Sequence, residues 1–276
     1  MKVFRTEIVG ALVVSSVIIG AVVFFLSYFN EKQTEGRIDL YDLVLPGAEQ
    51  ILSVNKPFQF LGVLERQPGL SACFKSLIPE DYIHLLACAK HSPVLLAYYP
   101  QGVALYYHLH NGRDEISDNF KKEPFVSVKN EGIDFKFYPK ASGLYLGNYQ
   151  YKGVGVVSHS RKLLEIIADN HRSKRKINFL SLKELEEEPD REALLNVLFQ
   201  SDSVSGWQTV DLFLHEEQVC CLYNRTFTEI SDSLVATTGD SLKVFIEELI
   251  PGMKVQAGLS RSDSTVYYTF CTSLAP

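Results

Sequence analysis

Positive charge is in short supply in this sequence. Its 276 residues carry 27 Lys and Arg against 33 Asp and Glu, which gives a formal net charge of -6. Phosphate contacts need clustered Lys and Arg side chains, and the short basic run Arg172 to Lys176 is soon followed by the acidic run Glu184 to Asp190. Both runs are typical of solvated faces or connectors. The balance argues against nucleic acid as a partner.

Readable catalytic motifs are also absent. The sequence has no GxSxG, no phosphate-binding P-loop and no GxGxxG. Ser53 to Lys56 matches the SxxK of penicillin-binding enzymes, but Ser53 falls in a predicted strand and no K-[ST]-G follows. We therefore assign no catalytic residue and no cofactor. Two Asp or Glu residues that converge in space would leave no motif, so the enzyme alternative stays open.

No metal-binding pattern stands out either. His108 and His110 lie two apart in a predicted strand, so their rings point to one face. That spacing suits a metal only with a third ligand, and no HExxH or similar cluster supplies one. We expect these histidines to line the face or margin of a sheet, and we assign no metal site.

The five cysteines form no CxxC, which argues against a zinc ribbon or a redox motif. Cys73 and Cys88 are candidates for a disulfide outside the cytoplasm. The alternative is that most of the cysteines are small buried apolar residues. Cys220 and Cys221 are adjacent, so in a strand they point to opposite faces and at most one belongs to the core.

One long apolar segment is what the sequence does have. Ile8 to Phe29 contains 22 residues without a charge, enough for a helix to cross a hydrocarbon core of ~30 Å. A cleaved signal peptide has a shorter apolar region that ends at a small-x-small site. This segment ends in Phe and Tyr residues, which suit the membrane interface. We predict a retained signal anchor that contacts the lipid bilayer through Ile8 to Phe29.

The orientation of this anchor follows less directly from charge. Lys2 and Arg5 precede the segment and Lys32 and Arg37 follow it, so the positive-inside bias is slight. All the remaining mass lies on one side, as in an uncleaved signal anchor. We predict a single-pass protein of the inner (cytoplasmic) membrane with its C-terminal domain in the periplasm.

The rest of the chain predicts an α+β fold, with mostly antiparallel sheet and packed helices after the N-terminal transmembrane helix. The predicted organisation is an anchor over residues 1–30, a polar tether over 31–37, an α+β subdomain over 38–170, a charged helical connector over 171–200 and a second α+β subdomain over 201–276. Within it we predict strands at Ala48 to Asn55 and Trp207 to Leu214, and helices at Arg191 to Gln200 and Asp240 to Ile250.

Four segments carry a resemblance to a known group. They are Leu43 to Leu61, a proline-led strand and turn into a helix; Gly153 to Asn170, a strand into an amphipathic helix; Trp207 to Phe227, a W-x-x-x-D-L strand and its return; and Asp240 to Ser260, a helix, a Pro break and a strand. In these segments the chain resembles Bacteroidetes envelope proteins of unknown function, of the DUF3352 type. Members of the group are typically longer than this chain. The resemblance implies an envelope location and supplies no catalytic residues.

That resemblance gives meaning to a set of Asp-Ser pairs. Bacteroidetes O-glycosylate secreted proteins at Asp-Ser or Asp-Thr before a small or aliphatic residue or Thr. The matching serines here are Ser203, Ser233, Ser241 and Ser264. The alternative is that these pairs are helix caps and turns, where Asp and Ser are favoured anyway. We predict O-glycosylation at one or more of the four.

These observations favour a membrane-anchored, non-enzymatic binding or scaffold component of the cell envelope, with other envelope proteins as partners. The alternative is a membrane-anchored periplasmic hydrolase or glycan-acting enzyme with no recognisable motif. A deep pocket with convergent His, Asp or Glu favours the enzyme, and an exposed apolar patch or sheet edge favours the binder.

Overall fold

A twelve-stranded antiparallel sheet dominates the computed structural model. The structure describes residues 18–25, 38–89, 92–109, 123–130, 132–140, 145–173, 189–201, 204–215, 218–226, 231–249, 256–262 and 265–273. Helices pack on both faces of the sheet. The predicted α+β class with a mostly antiparallel sheet is therefore confirmed.

The strands follow in chain order, and their spatial order differs from it. They are β1 Gln50–Val54, β2 Val94–Tyr99, β3 Gly102–His108, β4 Val126–Asn130, β5 Ile133–Pro139, β6 Tyr145–Tyr151, β7 Val154–Ser158, β8 Leu195–Ser201, β9 Val204–His215, β10 Gln218–Thr226, β11 Gln256–Ser262 and β12 Thr265–Ser273. Across the sheet the order is β11-β12-β10-β9-β8-β1-β2-β3-β7-β6-β5-β4. β1 therefore lies in the middle, between β8 and β2.

Two apolar cores lie on opposite faces of the sheet. On the first face pack α1 (Pro57–Arg66), α2 (Pro68–Leu77), α3 (Glu80–Ala89) and α5 (Asp232–Leu249). On the second face pack α4 (Arg161–Arg172) and a 3-10 helix over Leu40–Leu43. The alternation along β1 shows the division, because Leu52 and Val54 join the first core and Ile51 the second.

Strands in the middle of the sheet are buried on both faces. Val94 to Ala97 in β2 are completely buried, at 0% exposure each. Such strands have continuous apolar sequences instead of the alternation seen in half-exposed strands. This burial explains why runs such as Val94 to Tyr99 are rich in large apolar residues.

Several elements agree with the sequence predictions. The strand predicted over Ala48 to Asn55 is β1, and the strand predicted over Trp207 to Leu214 is β9. The amphipathic helix within Gly153 to Asn170 is α4, and the Ser160 hydroxyl caps it by accepting a hydrogen bond of 3.3 Å from the Leu163 amide. Leu163 is buried on the side of this helix that faces the second core.

The helix predicted over Arg191 to Gln200 is wrong, because Leu195–Ser201 forms β8. This apolar run reads equally well as a helix or as a strand buried on both faces, and pairing with β1 on one side and β9 on the other decides for the strand. β8 lies almost entirely within the predicted connector and pairs with β1. Strands of both predicted subdomains therefore belong to one sheet.

The last predicted helix starts earlier than expected. α5 begins at Asp232, so Asp240, the predicted first residue, lies inside the helix. Thr237, Thr238 and Gly239 are poor helix formers, which hid the first half. Packing of Val235 against the Tyr268 ring region compensates, and the Tyr268 hydroxyl donates to the Val235 carbonyl at 2.9 Å.

The predicted anchor falls mostly outside the described residues. Of Ile8 to Phe29 the structure describes residues 18–25, which are helical and exposed, with Phe24 at 71% exposure. Among the helices that the structure describes, none combines the length and the apolar character needed to cross a membrane.

A disulfide joins two strands of the sheet. Cys220 in β10 and Cys271 in β12 are direct cross-strand partners with Cα atoms 4.1 Å apart, and they form a disulfide. Cys221 points to the opposite face and is buried in the first core. The prediction that Cys220 and Cys221 separate onto opposite faces is confirmed. Of the pair Cys73 and Cys88, the Cys73 side chain lies outside the described part of the chain, so that disulfide stays a prediction.

Candidate functional site

One row of cross-strand partners changes from apolar to polar in the middle of the sheet. From β3 to β9 it runs through Tyr106, Leu95, Ser53, Asn196 and Asp211, each paired in register with the next. We call these five residues the central row. Tyr106 and Leu95 are completely buried and large, whereas Ser53 and Asn196 are buried and polar. Buried polar side chains are costly unless hydrogen-bonded, so the polar half marks a site.

A directed chain of hydrogen bonds links the polar members of the row. The Ser53 hydroxyl donates to Asn55 Oδ1 at 3.0 Å, and Asn55 Nδ2 donates to Asn196 Oδ1 at 2.6 Å. Asn196 Nδ2 then donates to Asp211 Oδ1 at 2.6 Å and to the Asp190 carbonyl at 2.9 Å. The chain satisfies both amide groups and ends on a carboxylate.

Asp211 is the acidic end of this chain. Burial raises the pKa of its carboxyl to about 6, and the hydrogen bonds from Asn196 and from the Asp190 amide only partly oppose that effect. The Asp190 amide donates to Asp211 Oδ2 at 3.3 Å. Both carboxylate oxygens therefore have donors within the protein.

A cleft of about 190 Å³ opens beside Ser53 on the same face of the sheet. We call it the polar cleft. Its wall is formed by the segment around the 3-10 helix and by β1, β2 and β3, with Ile38, Asp39, Leu40, Tyr41, Ser53, Asn55, Pro93, Leu95, His108 and Arg191 as lining residues. Apolar and hydrogen-bonding groups thus alternate around one small space.

Tyr41 is the most unusual group of the polar cleft. Its side chain is buried, at 7% exposure, and its hydroxyl has no hydrogen-bond partner within the described residues. Burial raises the pKa of Tyr41 well above its ordinary value, while a weaker side-chain interaction with Ser53 lowers it. A buried hydroxyl without a partner costs about 1–3 kcal/mol, so its position calls for an explanation.

His108, which lines the polar cleft, contributes a second buried atom without a hydrogen-bond partner among the described residues. This atom is its Nδ1. Burial lowers the pKa of His108, and the negative charge of Asp39 opposes that shift. The ring is therefore predominantly neutral at neutral pH.

An ion pair stands beside the polar cleft. Arg191 Nη2 lies 2.6 Å from Asp39 Oδ2, and both residues line the cleft. The pair joins the loop before β8 to the start of the 3-10 helix. Because each charge is matched by the other, the cleft has no unpaired cation at this point.

The segment that covers the polar cleft is held by His171 of α4. His171 Nε2 lies 3.1 Å from the Leu43 carbonyl, and Nδ1 lies 2.8 Å from the Tyr149 hydroxyl. A neutral ring that donates from Nε2 and accepts at Nδ1 satisfies both contacts. Burial is the main cause that lowers the pKa of His171. The Leu45 amide adds a hydrogen bond of 2.9 Å to the Tyr99 hydroxyl.

A second cavity of about 650 Å³ lies between α1, α2 and α3 on the first face. Its lining is largely apolar, with Leu61, Leu64, Pro68, Ala72, Ile83 and Ala87 joined by Glu65, Ser71, Lys75 and His84. We call it the helical groove. It contains no buried polar atom without a partner in the described part of the chain, so it offers less chemical specificity than the polar cleft.

The contact between His159 and Asp81 resembles two members of a catalytic triad, but among the described residues no serine nucleophile is hydrogen-bonded to the ring of this histidine. His159 Nε2 lies 3.3 Å from Asp81 Oδ2. The neighbouring Ser158 hydroxyl instead donates to the Val103 carbonyl at 2.7 Å, and His159 Nδ1 has no hydrogen-bond partner in the described ranges. A nucleophilic serine needs a hydrogen bond to its base, and this serine does not make one.

The residues predicted from sequence are scattered. Ser233 and Ser241 are exposed on α5, where the Ser241 hydroxyl donates to the Thr237 carbonyl at 3.0 Å. Ser203 and Ser264 lie outside the described residues, as does His110. Within the ranges that the structure describes, no three His, Cys, Asp or Glu side chains converge to hold a metal ion.

Sequence reasoning missed Asn196 and Asp211, and it named Ser53 and His108 for other reasons. The available signal was an acidic residue at an inward position of a strand. Trp207 faces the second core, and Asp211, four residues later in β9, shares its side of the strand. An inward carboxylate needs partners, and those partners are Asn196 in β8 and the Asp190 amide just before that strand.

Comparison with known proteins gives little beyond a distant structural likeness. No family model matches the sequence, and no curated protein matches it. Two solved structures of TP0453, in crystal forms I and III, each superpose with a TM-score of 0.45. The form I structure is 9% identical and the match covers 87% of this chain and 95% of that one; form III is 10% identical, with 86% and 95% covered. At that TM-score and identity the likeness assigns no function.

Proposed function

We propose that this chain is a membrane-anchored binding protein of the cell envelope that takes a small ligand in the polar cleft. The observation that carries the proposal is the Tyr41 hydroxyl, which is buried in the cleft wall without a partner among the described residues. A ligand in the cleft is the natural acceptor or donor for that hydroxyl. Ligand sites commonly combine apolar walls with a few polar groups in this way.

Binding is favoured over catalysis by what the nearby carboxylates already do. Asp39 is engaged by Arg191, and Asp211 accepts from Asn196 and from the Asp190 amide. Neither carboxylate is left to move a proton at the cleft. A general acid or base has to reach the reacting atom directly or through one water.

The anchored, extracytoplasmic location is part of the same proposal. The uncharged segment Ile8 to Phe29 supports the anchor. The Cys220–Cys271 disulfide supports an oxidising compartment, because disulfides persist outside the cytoplasm and are rare inside it. Membership of the DUF3352-type envelope group remains an interpretation from the four segments named above, as do periplasmic orientation and binding to other envelope proteins.

Ligand binding in the polar cleft is tested by thermal unfolding of the full-length protein in detergent against a chemically diverse set of small metabolites. We expect at least one compound to raise the unfolding temperature of the wild type and not of Tyr41→Phe. Tyr82→Phe is the matched control, since Tyr82 is buried on the opposite face, where its hydroxyl donates to the Val103 carbonyl at 2.9 Å. If every stabilising compound acts equally on wild type and Tyr41→Phe, the proposal fails.

The anchor has its own test. The paired substitution Ile18→Asp with Ile19→Asp places two charges at the centre of the predicted span, at a cost of about 3 kcal/mol each for membrane insertion. We expect the variant to leave the membrane fraction after an alkaline wash. Phe58→Asp, at a position 70% exposed on α1, is the control and stays with the membrane. A variant that remains membrane-bound contradicts the anchor.

A second candidate function is the hydrolase or glycan-acting enzyme, which one observation favours. The pKa of Asp211 is raised to about 6, which suits a general acid or base near neutral pH. Chromogenic esters, phosphates and glycosides test it. Turnover that Asp211→Asn abolishes, and that the control Asp169→Asn at an exposed position of α4 does not, would replace the binding proposal.

A further inference from the structure

We propose that the ligand of the polar cleft is a neutral, hydroxyl-rich molecule of the size of one sugar ring. The inference rests on the binding function proposed above and specifies its ligand class. It follows from the size of the cleft, the charges around it and the hydrogen-bonding groups in its wall.

The size of the polar cleft limits the ligand. Its volume of about 190 Å³ is below the roughly 300–1,000 Å³ usual for drug-sized ligands. Such a space suits a single six-membered sugar ring with its hydroxyls, and the second ring of a disaccharide would extend beyond it.

The charges around the polar cleft disfavour a charged ligand. Arg191 is already paired with Asp39, so the charge that it offers an anion is partly offset by that carboxylate. Asp39, Asp211 and Arg191 all act on the Tyr41 hydroxyl, so charges of both signs surround it. A cation that approaches the Asp39 carboxylate is repelled by Arg191, because the two residues form one ion pair. A neutral ligand avoids both conflicts.

The hydrogen-bonding groups of the wall match hydroxyls. The Tyr41 hydroxyl both donates and accepts, and His108 Nδ1 does either according to its tautomer. A ligand hydroxyl has the same dual capacity, so it satisfies both atoms without a fixed direction. Ile38, Leu40 and Leu95 supply apolar surface for the C–H faces of the ring.

The test compares three ligands that each have one sugar ring and differ in charge: neutral glucose, negative glucuronate and positive glucosamine. Binding to the full-length protein is measured by saturation-transfer NMR and calorimetry in a zwitterionic detergent without sugar headgroups. We expect glucose to bind at least tenfold more tightly than either charged analogue. Maltose is expected to bind no more tightly than glucose, because its second ring stays outside the cleft.

Variants locate the binding. We expect Tyr41→Phe to weaken glucose binding at least tenfold, while the control Tyr82→Phe leaves it unchanged. His108→Ala is expected to weaken binding as well, and His108→Asn to restore part of it, because an Asn amide can occupy the place of Nδ1. Circular dichroism and the unfolding temperature establish that each variant is folded.

Three outcomes overturn the inference. They are tighter binding of glucuronate or glucosamine, no binding of glucose at all, and glucose binding that Tyr41→Phe does not change. The first two leave the binding function itself intact if another compound still stabilises the protein in a Tyr41-dependent manner. If no compound does so, the binding function fails together with the ligand class.

Discussion

The two halves of the central row share one sheet face and differ in what fills it. On the β2–β3 side, Leu95 and Tyr106 fill the space under the covering segment, and the Tyr106 hydroxyl lies 3.3 Å from that of Tyr99. On the β1–β9 side, Ser53, Asn196 and Asp211 are smaller or polar, and the cleft opens where the two halves meet, with Ser53 and Leu95 in its wall. The difference shows how replacing large apolar residues by small polar ones converts a packed core into a site.

The largest effect is expected from a substitution in the apolar half of the central row. Tyr106→Ala removes a completely buried ring and is expected to lower the free energy of unfolding by about 3–5 kcal/mol, because the surroundings collapse only partly into the cavity. Urea denaturation of the full-length protein measures it. A loss below about 1 kcal/mol would show that this half is not a packed core.

The second largest effect is expected from a substitution at the centre of the polar half. Asn196→Ala removes the closest acceptor of Asn55 Nδ2, at 2.6 Å, and the closest donor of Asp211. Asn55 Nδ2 then keeps longer contacts of 3.2 and 3.4 Å to backbone carbonyls. We expect a loss of about 2–3 kcal/mol in the same measurement, since buried polar groups keep their desolvation cost. Asn170→Ala, which loses one helix contact to the Ile166 carbonyl, is the control and loses less than about 1 kcal/mol. Equal losses would mean that the hydrogen-bond chain adds nothing.

A pH series sharpens the polar half further. The folded-state pKa of Asp211, about 6, lies above its ordinary value of 3.8, so the folded state holds this proton more tightly. That contribution to stability is fully present below pH 3.8 and is lost as pH rises through 6. Relative to the wild type, Asp211→Asn should therefore gain stability between pH 4 and pH 7, by up to about 3 kcal/mol.

This prediction is decided by the change in the free energy of unfolding between pH 4 and pH 7, and not by its absolute value. In Asp211→Asn the new side-chain amide would face the Asp190 amide with a donor, which costs the variant a constant amount at every pH. Two unfolding curves, at pH 4 and at pH 7, give the difference for each protein. Parallel behaviour of wild type and variant would contradict a raised pKa at Asp211.

The smallest effect concerns the segment that covers both halves. The pKa of His171 is lowered in the folded state, so the unfolded chain takes up the proton first as pH falls. Stability from His171 is therefore present above pH 6.5 and declines as pH falls below it. We expect His171→Gln to show a shallower decline than the wild type, measured by thermal unfolding. His84→Gln, at an exposed position on α3, should keep the wild-type decline.

Local patterns predicted much of the apolar half. β1 and α4 follow from a short apolar run and from an amphipathic pattern, each of which acts over a few residues. The strand β8 does not follow in this way, because its apolar run suits a helix as well as a strand buried on both faces. The identity of its neighbours is a long-range property, and no local pattern contains it.

The polar half could not be predicted for the same reason. Ser53 and Asp211 are far apart in the sequence and become neighbours only through Asn196. A short polar residue in a strand has no meaning until its cross-strand partner is known. Tyr41 was equally hidden, because its lack of a partner among the described residues is a property of the assembled cleft.

The central place of β1 has a consequence for how the chain is made. Gln50 pairs with Tyr98 on one side and with Phe199 on the other, so its second partner is synthesised about 150 residues later. Until β8 arrives, the middle strand of the final sheet is an exposed edge, and such edges invite pairing with other chains. A protein built in this order needs protection during its own synthesis. Substitutions that weaken β8 are therefore expected to appear first as poor yield and aggregation, before any loss of ligand binding.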